Sequence, residues 1–595
     1  MIRLSVVIPT FNRRQVLERT LPALLAQDLA PEDYEVIVVM DGSTDGTAEL
    51  LRDWKPKCAF RALEAPHRGP SAARNVGIRA AVGELVLFLD DDLMGVPDLL
   101  RQHLAAHSDS EPRVVHGPIY IAPGSSESII RYLSEIGYEG YYRSLNPDKE
   151  LRYPEDFSPS IAVLSSMANS SIPREILLQC GGFDEQILAA EDLELGLRLW
   201  RMGIPFRFRP SAITYEHYVK SSWQYLVWQS RTLAAGDIRV CRKHPEYRPH
   251  SVLSSFAETR LSRRWLRRAL MQTPISPVPL LAFPLRFERW FYRFAPMRRL
   301  GLRLLHTAER LTRLRSAVKA AGSWKALEAE FGRSSPGLMY HHVGPPRPGT
   351  PPQWTVSPEQ FERQIRWLAR CGYVGITSSD WLRWRRKGTG LPEKPILITF
   401  DDGYADTADY AFPILRRHGF GATAFVVTGR FGGTNTWDEE QGCGTLRLMT
   451  TEQIRHWAGQ GIEFGAHSRT HPDLTKLSPA ECLAEIAGSK DDLSTLLDSP
   501  VVSFAYPYGE QNNAVCDLVR GQFDLAFGPE EGINYLKGDP HLLRRVYVSP
   551  NDSLLAFAFS ARWGGLKTIR DWRIKIRLRT RLRRALIRLS RGASR

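Results

Sequence analysis

Two adjacent carboxylates, Asp401 and Asp402, end the apolar run "ILITF". Neighbouring like charges repel, and each loses hydration if it is buried. A bound cation would relieve both costs. About 65 residues on, "IEFGAHSRTHPDL" carries His467 and His471, four apart, a spacing that lets two imidazoles meet one ion. One carboxylate with two imidazoles leaves a coordination position open for water, which is the pattern of a catalytic metal site. The second carboxylate is then free to take a proton from that water. The same question arises earlier, where "LVLFLDDDL" places Asp90, Asp91 and Asp92 after an apolar run and "VIVVMD" ends in Asp41. Asp90 and Asp92, two apart in a turn, can converge on one hard divalent ion such as Mg²⁺ or Mn²⁺. Such an ion would polarise a diphosphate leaving group.

The elements around these residues set the fold class. Residues 1–235 alternate strand and helix patterns: "LSVVIP", "QVLERTLPALLAQ", "YEVIVVMD", "GTAELLRDW", "ELVLFLD". This alternation predicts an α/β domain of parallel strands with crossover helices. Its continuous apolar strands suit a sheet covered on both faces. A second α/β alternation spans 335–555, with "ILITF", "TAFVV", "IEFGAH", "VVSFAYP" and "FDLAF" as strands. In both halves the acidic residues follow strands, and ligands of open parallel sheets bind beyond the carboxyl ends of strands. Between the halves, residues 236–334 interleave Arg with Trp, Phe and Leu and read as a linker with basic amphipathic helices. Residues 556–595 form a basic amphipathic tail.

The chain of 595 residues is 43% hydrophobic and 24% charged, which fits more than one globular domain and excludes a disordered chain. The formal net charge is +14. Residues 255–320 carry 15 Lys and Arg against 3 acidic residues, and residues 570–595 carry 11 against 1. These two segments sum to 12 + 10 = +22, so the rest is 14 − 22 = −8. The basicity belongs to the linker and tail, where an anionic membrane surface is the favoured partner and nucleic acid the weaker one. Seven scattered cysteines without a CxxC predict no disulfide framework and a reducing compartment. The N-terminal apolar run reads as a strand and not a signal peptide, and no run of about 18 apolar residues predicts a spanning helix. The expected location is cytoplasmic, peripheral on the inner face of the membrane.

"SVVIPTFNR", "VVMDGSTDGT", "HRGPSAARNVGI", "FLDDDL" and "AEDLELGLRLWRMG" together resemble the family 2 glycosyltransferases of the GT-A (Rossmann-like) fold, over residues 3–220. The resemblance implies a nucleotide-sugar donor. Asp41 would contact the base with Thr10 and Asn12 nearby, and Asp90 and Asp92 would form the metal-binding DxD. Asp192 would deprotonate the acceptor hydroxyl, and His217 would be a further metal or phosphate ligand. Met40 stands where many members have Asp, and the synthase-type QxxRW motif is absent, so single-sugar transfer is expected. Alternatively, Asp41 and Asp45 serve a turn or helix cap, Asp192 is a solvated helix residue and His217 is structural.

"TFDDG" with "HSRTH" resembles the carbohydrate esterase family 4 polysaccharide deacetylases, the NodB-homology group, over residues 335–550. This resemblance implies a distorted (β/α) barrel with its site at the strand C-termini. Asp402, His467 and His471 would hold Zn²⁺ or another divalent metal, with Asp401 as general base. The substrate would be an N-acetylated amino-sugar glycan or a lipid-linked saccharide. Ala505 occupies the position where many relatives carry the Arg that orients the base, and the late LxH that supplies the acid is missing. "LMYHHVG" and "FAYPYG" resemble instead the subgroup acting on β-1,6-linked N-acetylglucosamine polymers. In that reading His341 replaces the missing acid or assists at the metal, and Tyr506, Pro507 and Tyr508 bind substrate. His341 and His342 can also be read as hydrogen-bonded core residues. The expected protein joins sugar transfer to deacetylation in surface-polysaccharide or glycolipid assembly. The alternatives are a transferase whose second domain binds glycan without turnover, and a membrane-surface scaffold with both sites degenerate.

Overall fold

The computed structural model describes residues 2–109, 111–122, 142, 145, 150–151, 167–217, 230–256, 295–346, 353–388, 390–437 and 445–565. The chain divides into two compact units, residues 1–253 with 260–327, and residues 254–259 with 328–595. The expected basic segments over 257–294 and 566–595, and Cys443, lie outside the described residues. No disulfide links the described cysteines. No helix among the described residues is long and apolar enough to cross a membrane.

The first unit is built on a seven-stranded sheet in the order β3-β2-β1-β4-β8-β6-β9. Its strands are β1 (Leu4–Thr10), β2 (Tyr34–Asp41), β3 (Ala59–Ala65), β4 (Leu85–Phe88), β6 (Val114–His116), β8 (Ser170–Pro173) and β9 (Phe206–Phe208). A smaller sheet pairs β5 (Leu93–Gly95), β10 (Thr214–Glu216) and β7 (Ile119–Ile121) in the order β5-β10-β7. The β-branched runs of β1 and β2 are buried along almost their whole length, as expected for central strands covered on both faces. Helix Pro70–Ala80 lies so close to β1 that a Cβ at Gly77 would sit 2.3 Å from Val7 Cγ1. Glycine there is what lets helix and sheet touch. The sheet departs from the expected all-parallel form. β1 to β4 run parallel, but β8 pairs antiparallel with both β4 and β6. Strand composition carries no signal for direction, which depends on the path of the intervening chain.

Within the expected linker, Ala295–Ala321 forms a 27-residue helix that packs along helix Ser230–Lys243 within the first unit. Its buried Leu305, Ala308 and Thr312 repeat at three- and four-residue steps, the spacing of one helix face, and Leu314 and Ala317, three apart, extend the buried side. Arg299, Arg303, His306 and Arg310 are exposed.

The second unit is a mixed α/β sheet that curls toward a barrel. Its strands follow the order β19-β18-β17-β16-β15-β11-β20, with β14 beside β15 and β21 beside β11. They are β11 (Ser334–Tyr340), β14 (Val374–Ile376), β15 (Pro395–Phe400), β16 (Ala422–Val426), β17 (Ile462–Ala466), β18 (Ser503–Ala505), β19 (Leu525–Phe527), β20 (Ile533–Tyr535) and β21 (Val546–Tyr547). A short pair, β12 (His342–Val343) with β13 (Thr355–Val356), flanks them. Pairing from β11 through β19 is parallel throughout, so these strands all finish at one end. The curl is drawn together by the segment 540–545: Leu543 N–H donates to the Ala526 carbonyl at 2.8 Å and Gly528 N–H to the Leu543 carbonyl at 2.9 Å. β20 runs antiparallel to β11, which is one irregularity of the barrel. Helix Leu554–Trp563 belongs to this core through buried Phe557 and Ala561, although the sequence reading began its tail at residue 556.

Three histidines, His103 and His116 buried and His107 partly so, brace β6 and β8 of the first unit. His103 accepts and donates between Ser171 Oγ at 2.9 Å and Asn169 Oδ1 at 3.0 Å. His107 meets Ser171 Oγ at 2.8 Å, and His116 meets Ser170 Oγ at 3.0 Å. Burial holds His103 down at about 4, against a weaker upward pull from Asn169. A histidine whose folded pKa is depressed stays neutral in the native chain while the unfolded chain takes up a proton, so it removes stability as pH falls below about 6.5. His103→Gln should therefore cost stability at pH 7.5, and the gap from wild type should narrow by ~1.4 kcal/mol for each pH unit below about 6.5. Urea midpoints of the first unit's transition at pH 7.5 and pH 5 check this. A gap independent of pH would contradict it.

Candidate active sites

The register of the first sheet gathers its polar residues on one rim. Thr10 pairs with Met40 across β1 and β2, and Val7 pairs with Phe88 across β1 and β4, so Thr10, Asp41 and Asp90–Asp92 follow strand ends on the same side. Two arginines hold the acidic triplet. Arg13 Nη1 donates to Asp91 Oδ1 and to Asp92 Oδ2, each at 2.8 Å, and Thr10 Oγ1 donates to Asp91 Oδ2 at 2.8 Å. The buried Arg74 reaches Asp90 Oδ1 at 2.8 Å, Glu191 Oε1 at 3.2 Å and Asp192 Oδ1 at 3.5 Å. Its guanidinium also lies 5.3 Å from the Phe183 ring. Asp91 is therefore a packing and hydrogen-bonding residue; burial raises its carboxyl to about 6, although Arg13 pulls the other way. Asp90 and Asp92 each spend one oxygen on arginine and keep the other without a bond among the described residues. That donor set fits a hard cation bound through carboxylate oxygens.

Asp192 is the second residue of helix Glu191–Arg201, whose first turn is acidic and whose N-cap Ala190 adopts φ 63°. Burial raises the Asp192 carboxyl to about 7; Arg74 opposes this, and Glu191 and Asp90 add to it. A carboxylate poised near neutrality suits a general base. Asp41 does not present free oxygens. It accepts from Arg68 N–H at 2.8 Å and Gly69 N–H at 3.0 Å, and His67 Nδ1 lies 2.9 Å from Oδ2. It thus fixes the turn that enters helix Pro70–Ala80. Met40 is buried in the core behind it. Asn12, at φ 51°, accepts from Thr44 N–H at 2.7 Å and ties β1 to the loop after β2. Asp45 accepts from Thr47 N–H and hydroxyl, a turn role at the start of helix Thr47–Asp53. The His217 backbone N–H donates to the Asp92 carbonyl, but its Nε2 lies 3.3 Å from Met94 Sδ, so the structure does not bring this ring to the carboxylates.

In the second unit the parallel strands deliver Asp401 after β15, His467 after β17 and Tyr506 after β18 to one end. The two adjacent carboxylates point apart. Asp402 stands at φ 70°, and His467 Nε2 and His471 Nε2 each lie 3.4 Å from its Oδ1. Ligand atoms of these three buried residues fall within 4.8 Å of one another. His467 Nδ1–H donates to the Ala505 carbonyl at 2.8 Å, which leaves the Nε2 lone pair aimed at the cluster. Burial alone would raise the Asp402 carboxyl, but the imidazoles of His467 and His471 beside it hold it well below the usual carboxylate range. Burial likewise pushes His467 down, and Asp402 more than restores it. An Asp and two His of this geometry fit a divalent metal, Zn²⁺ included.

Asp401 takes a different partner. Arg545 Nη1 donates to Asp401 Oδ1 at 2.6 Å and to Thr399 Oγ1 at 3.2 Å, with both charged groups buried. The guanidinium is held between the Phe425 and Phe527 rings, 5.6 and 5.5 Å from their centroids. An arginine therefore does orient the expected base, but it comes from the segment before β21 and not from position 505. Arg545 lies in "LLRRVYV", the region where the late LxH is missing, and nothing local marks it as a partner of Asp401. A cleft of ≈ 250 Å³ opens on the site and is lined by His341, Trp354, Trp437, Tyr506 and Tyr508 among others. His341 stacks on Trp354 with centroids 5.8 Å apart, and its Nδ1 has no hydrogen-bond partner among the described residues. Trp437 stacks on His471 at 4.7 Å, and Tyr508 meets the same ring edge-on at 4.5 Å. Tyr506 is buried, its hydroxyl donating to the His541 carbonyl, and Pro507 does not line the cleft. His342 is buried against Asp406 and Thr355, the core role foreseen as its alternative. Asp402, Ser468, His471 and Tyr508 all adopt positive φ, and such strained backbone gathers at functional sites.

Residues 5–169 match the family model of glycosyl transferase family 2, and residues 388–522 match that of polysaccharide deacetylase. The chain therefore carries a family 2 glycosyltransferase domain in its N-terminal half and a polysaccharide deacetylase domain in its C-terminal half. Validoxylamine A glucosyltransferase of Streptomyces hygroscopicus subsp. limoneus is 33% identical over 271 residues, 41% of this chain and 58% of the relative. The chain thus spans less than two thirds of that protein. A putative polysaccharide deacetylase, YxkH of Bacillus subtilis (strain 168), is 28% identical over 223 residues, 37% of this chain and 74% of the relative. The poly-beta-1,6-N-acetyl-D-glucosamine N-deacetylase of Staphylococcus aureus (strain MRSA252) is 25% identical over 206 residues, 33% of this chain and 68% of the relative. Among solved structures, the Streptococcus pyogenes deacetylase PplD in complex with acetate aligns with 26% identity and a TM-score of 0.34, covering 39% of this chain and 99% of that one.

Arg545 is expected to set the position of Asp401. Arg545→Lys should lower kcat/KM for deacetylation by about 10- to 100-fold while leaving bound metal per chain unchanged. Deacetylation assays with metal analysis of the same samples check this. Full activity in the variant would remove Arg545 from the site.

Proposed function

We propose that the chain is a bifunctional enzyme of surface-polysaccharide or glycolipid assembly. Its first domain transfers a single sugar from a nucleotide-sugar donor, and its second removes an N-acetyl group from an amino sugar. The observation that carries the second activity is the divergence of Asp401 and Asp402 onto separate partners, Arg545 for one and two histidines for the other.

A divalent cation held by Asp402, His467 and His471 would polarise the amide carbonyl and acidify a water beside it. Asp401 would take the proton from that water, a role supported by Arg545, which holds one of its oxygens and pairs its charge. His341 is the candidate to protonate the leaving amine. It lines the cleft, and its packing on Trp354 holds the ring while Nδ1 stays unengaged among the described residues. Trp437 and Tyr508, packed on His471, offer apolar faces to a sugar ring and exclude water from the cleft. Acetate and the free amine would be the products.

In the first domain a Mg²⁺ or Mn²⁺ ion at Asp90 and Asp92 would neutralise charge on the departing diphosphate. Asp192 would take the proton of the acceptor hydroxyl, and Arg74 orients it by bridging to Asp90 and Glu191. Thr10, Asn12 and Asp41 shape the rim for the nucleotide by fixing its loops. The acceptor is an N-acetylated amino-sugar glycan or a lipid-linked saccharide. The basic segments support a peripheral location on an anionic inner membrane face, where lipid-linked acceptors are presented.

Separate sites make separable losses. Asp401→Asn should abolish acetate release from N-acetylglucosamine oligomers and leave sugar transfer from a nucleotide-sugar panel intact, and Asp192→Asn should do the reverse, each read by product mass. Loss of both activities in either variant would contradict two independent sites. Because Asp192 must be deprotonated to act and its carboxyl sits near 7, kcat/KM for transfer should rise with pH through an acid limb centred near pH 7. A flat profile from pH 5.5 to 8 would contradict its role as base.

A further inference from the structure

We propose that the outer face of helix Leu554–Trp563 is a docking surface for an anionic lipid bilayer, in the second unit of the chain. The proposal rests on the reading that the protein works at a membrane, and it assigns that contact to named side chains. The helix has two unlike faces. Phe557, Ser560 and Ala561 are buried in the core of the unit. Opposite them Leu555 is 77% exposed and Phe559 40%, and the two lie four residues apart on one stripe. The Phe559 and Trp563 rings lie 4.5 Å apart, and the exposed Arg562 sits 5.3 Å from the Trp563 ring. The face therefore joins aliphatic and aromatic groups to a cation at its end, the composition of a helix that lies in a lipid interface.

What should cover it follows from the charge of the chain beyond. Residues 566–595 carry 12 Lys and Arg against a single acidic residue, Asp571, interleaved with ten Leu, Ile and Trp. Two copies of the chain meeting through this face would bring these cationic segments together. An anionic leaflet supplies the opposite charge, and each basic residue near it gains binding energy that salt only partly screens. The apolar stripe and the basic segment follow one another directly in sequence, so one surface can take both.

The test is co-sedimentation of the full chain, without substrate, with vesicles of phosphatidylcholine alone or with a minority of phosphatidylglycerol, in about 0.15 M salt. Wild type should bind the anionic vesicles and not the neutral ones. Leu555→Ser with Phe559→Ser, which leaves all charges in place, should weaken binding about tenfold or more without moving the thermal melting curve. A single Leu555→Ser variant, at the most exposed of these positions, should show a smaller loss and guards against misfolding of the pair. Wild-type binding by both variants would overturn the proposal and leave the membrane reading to the basic segments alone. Absence of wild-type binding to anionic vesicles would overturn both. A dimer in sedimentation velocity that the double variant dissociates would assign the face to a second copy instead.

Discussion

Two negative charges on consecutive residues at a buried strand end are unfavourable unless each has its own counter-group. The second domain is organised around meeting that constraint. The left-handed conformation of Asp402 and the following Gly403 turn one carboxylate toward His467 and His471, while Asp401 stays aligned with β15 and reaches Arg545. The same backbone geometry that separates the charges also divides the labour, one group to hold a cation and one to move a proton. Everything that positions the site serves this division. Parallel pairing brings the strand ends together, the Ala505 carbonyl fixes the tautomer of His467, and Phe425 and Phe527 flank Arg545, which donates to the base.

The first domain meets a similar density of negative charge with cations of its own. Arg13 clamps Asp91 and Asp92, and Arg74 spans Asp90, Glu191 and Asp192. Asp91 is consumed by this scaffold, which leaves its two neighbours with an oxygen each. Arg74 also links the strand-end carboxylates to the helix that carries Asp192, so that a buried guanidinium sets the distance between the two halves of the site. Removing one partner from such a buried network leaves unpaired charge, which is why the cluster stands or falls together.

The sequence made the chemistry legible where it lay in short motifs. The carboxylate pair, the two histidines four residues apart and the acidic triplet are all read from local spacing, and the structure brings Asp402, His467 and His471 together as that spacing implies. What could not be read were partners distant along the chain. Arg545 lies 144 residues from Asp401, and only the curling of the sheet brings the segment before β21 beneath the base. Arg74 sits in a quoted motif, "AARN", but nothing local marks it as a bridge to Asp192. Direction of pairing was equally hidden: β8 is four residues, Ser170–Pro173, with a single β-branched side chain at Ile172, and nothing in it announces that it runs against its neighbours. His217 is near the site in sequence, but its ring is turned toward Met94, an orientation that local spacing does not announce.

The central claim is that Asp402, His467 and His471 form one cation site while Asp401 stays outside it. Cobalt(II) titration of the full chain, followed by visible absorption, tests this most directly. One tightly bound ion with ligand-field bands should appear, should be lost in His467→Ala and should persist in Asp401→Asn with altered pH dependence. Retention of the spectrum in His467→Ala, or its loss in Asp401→Asn, would contradict the account.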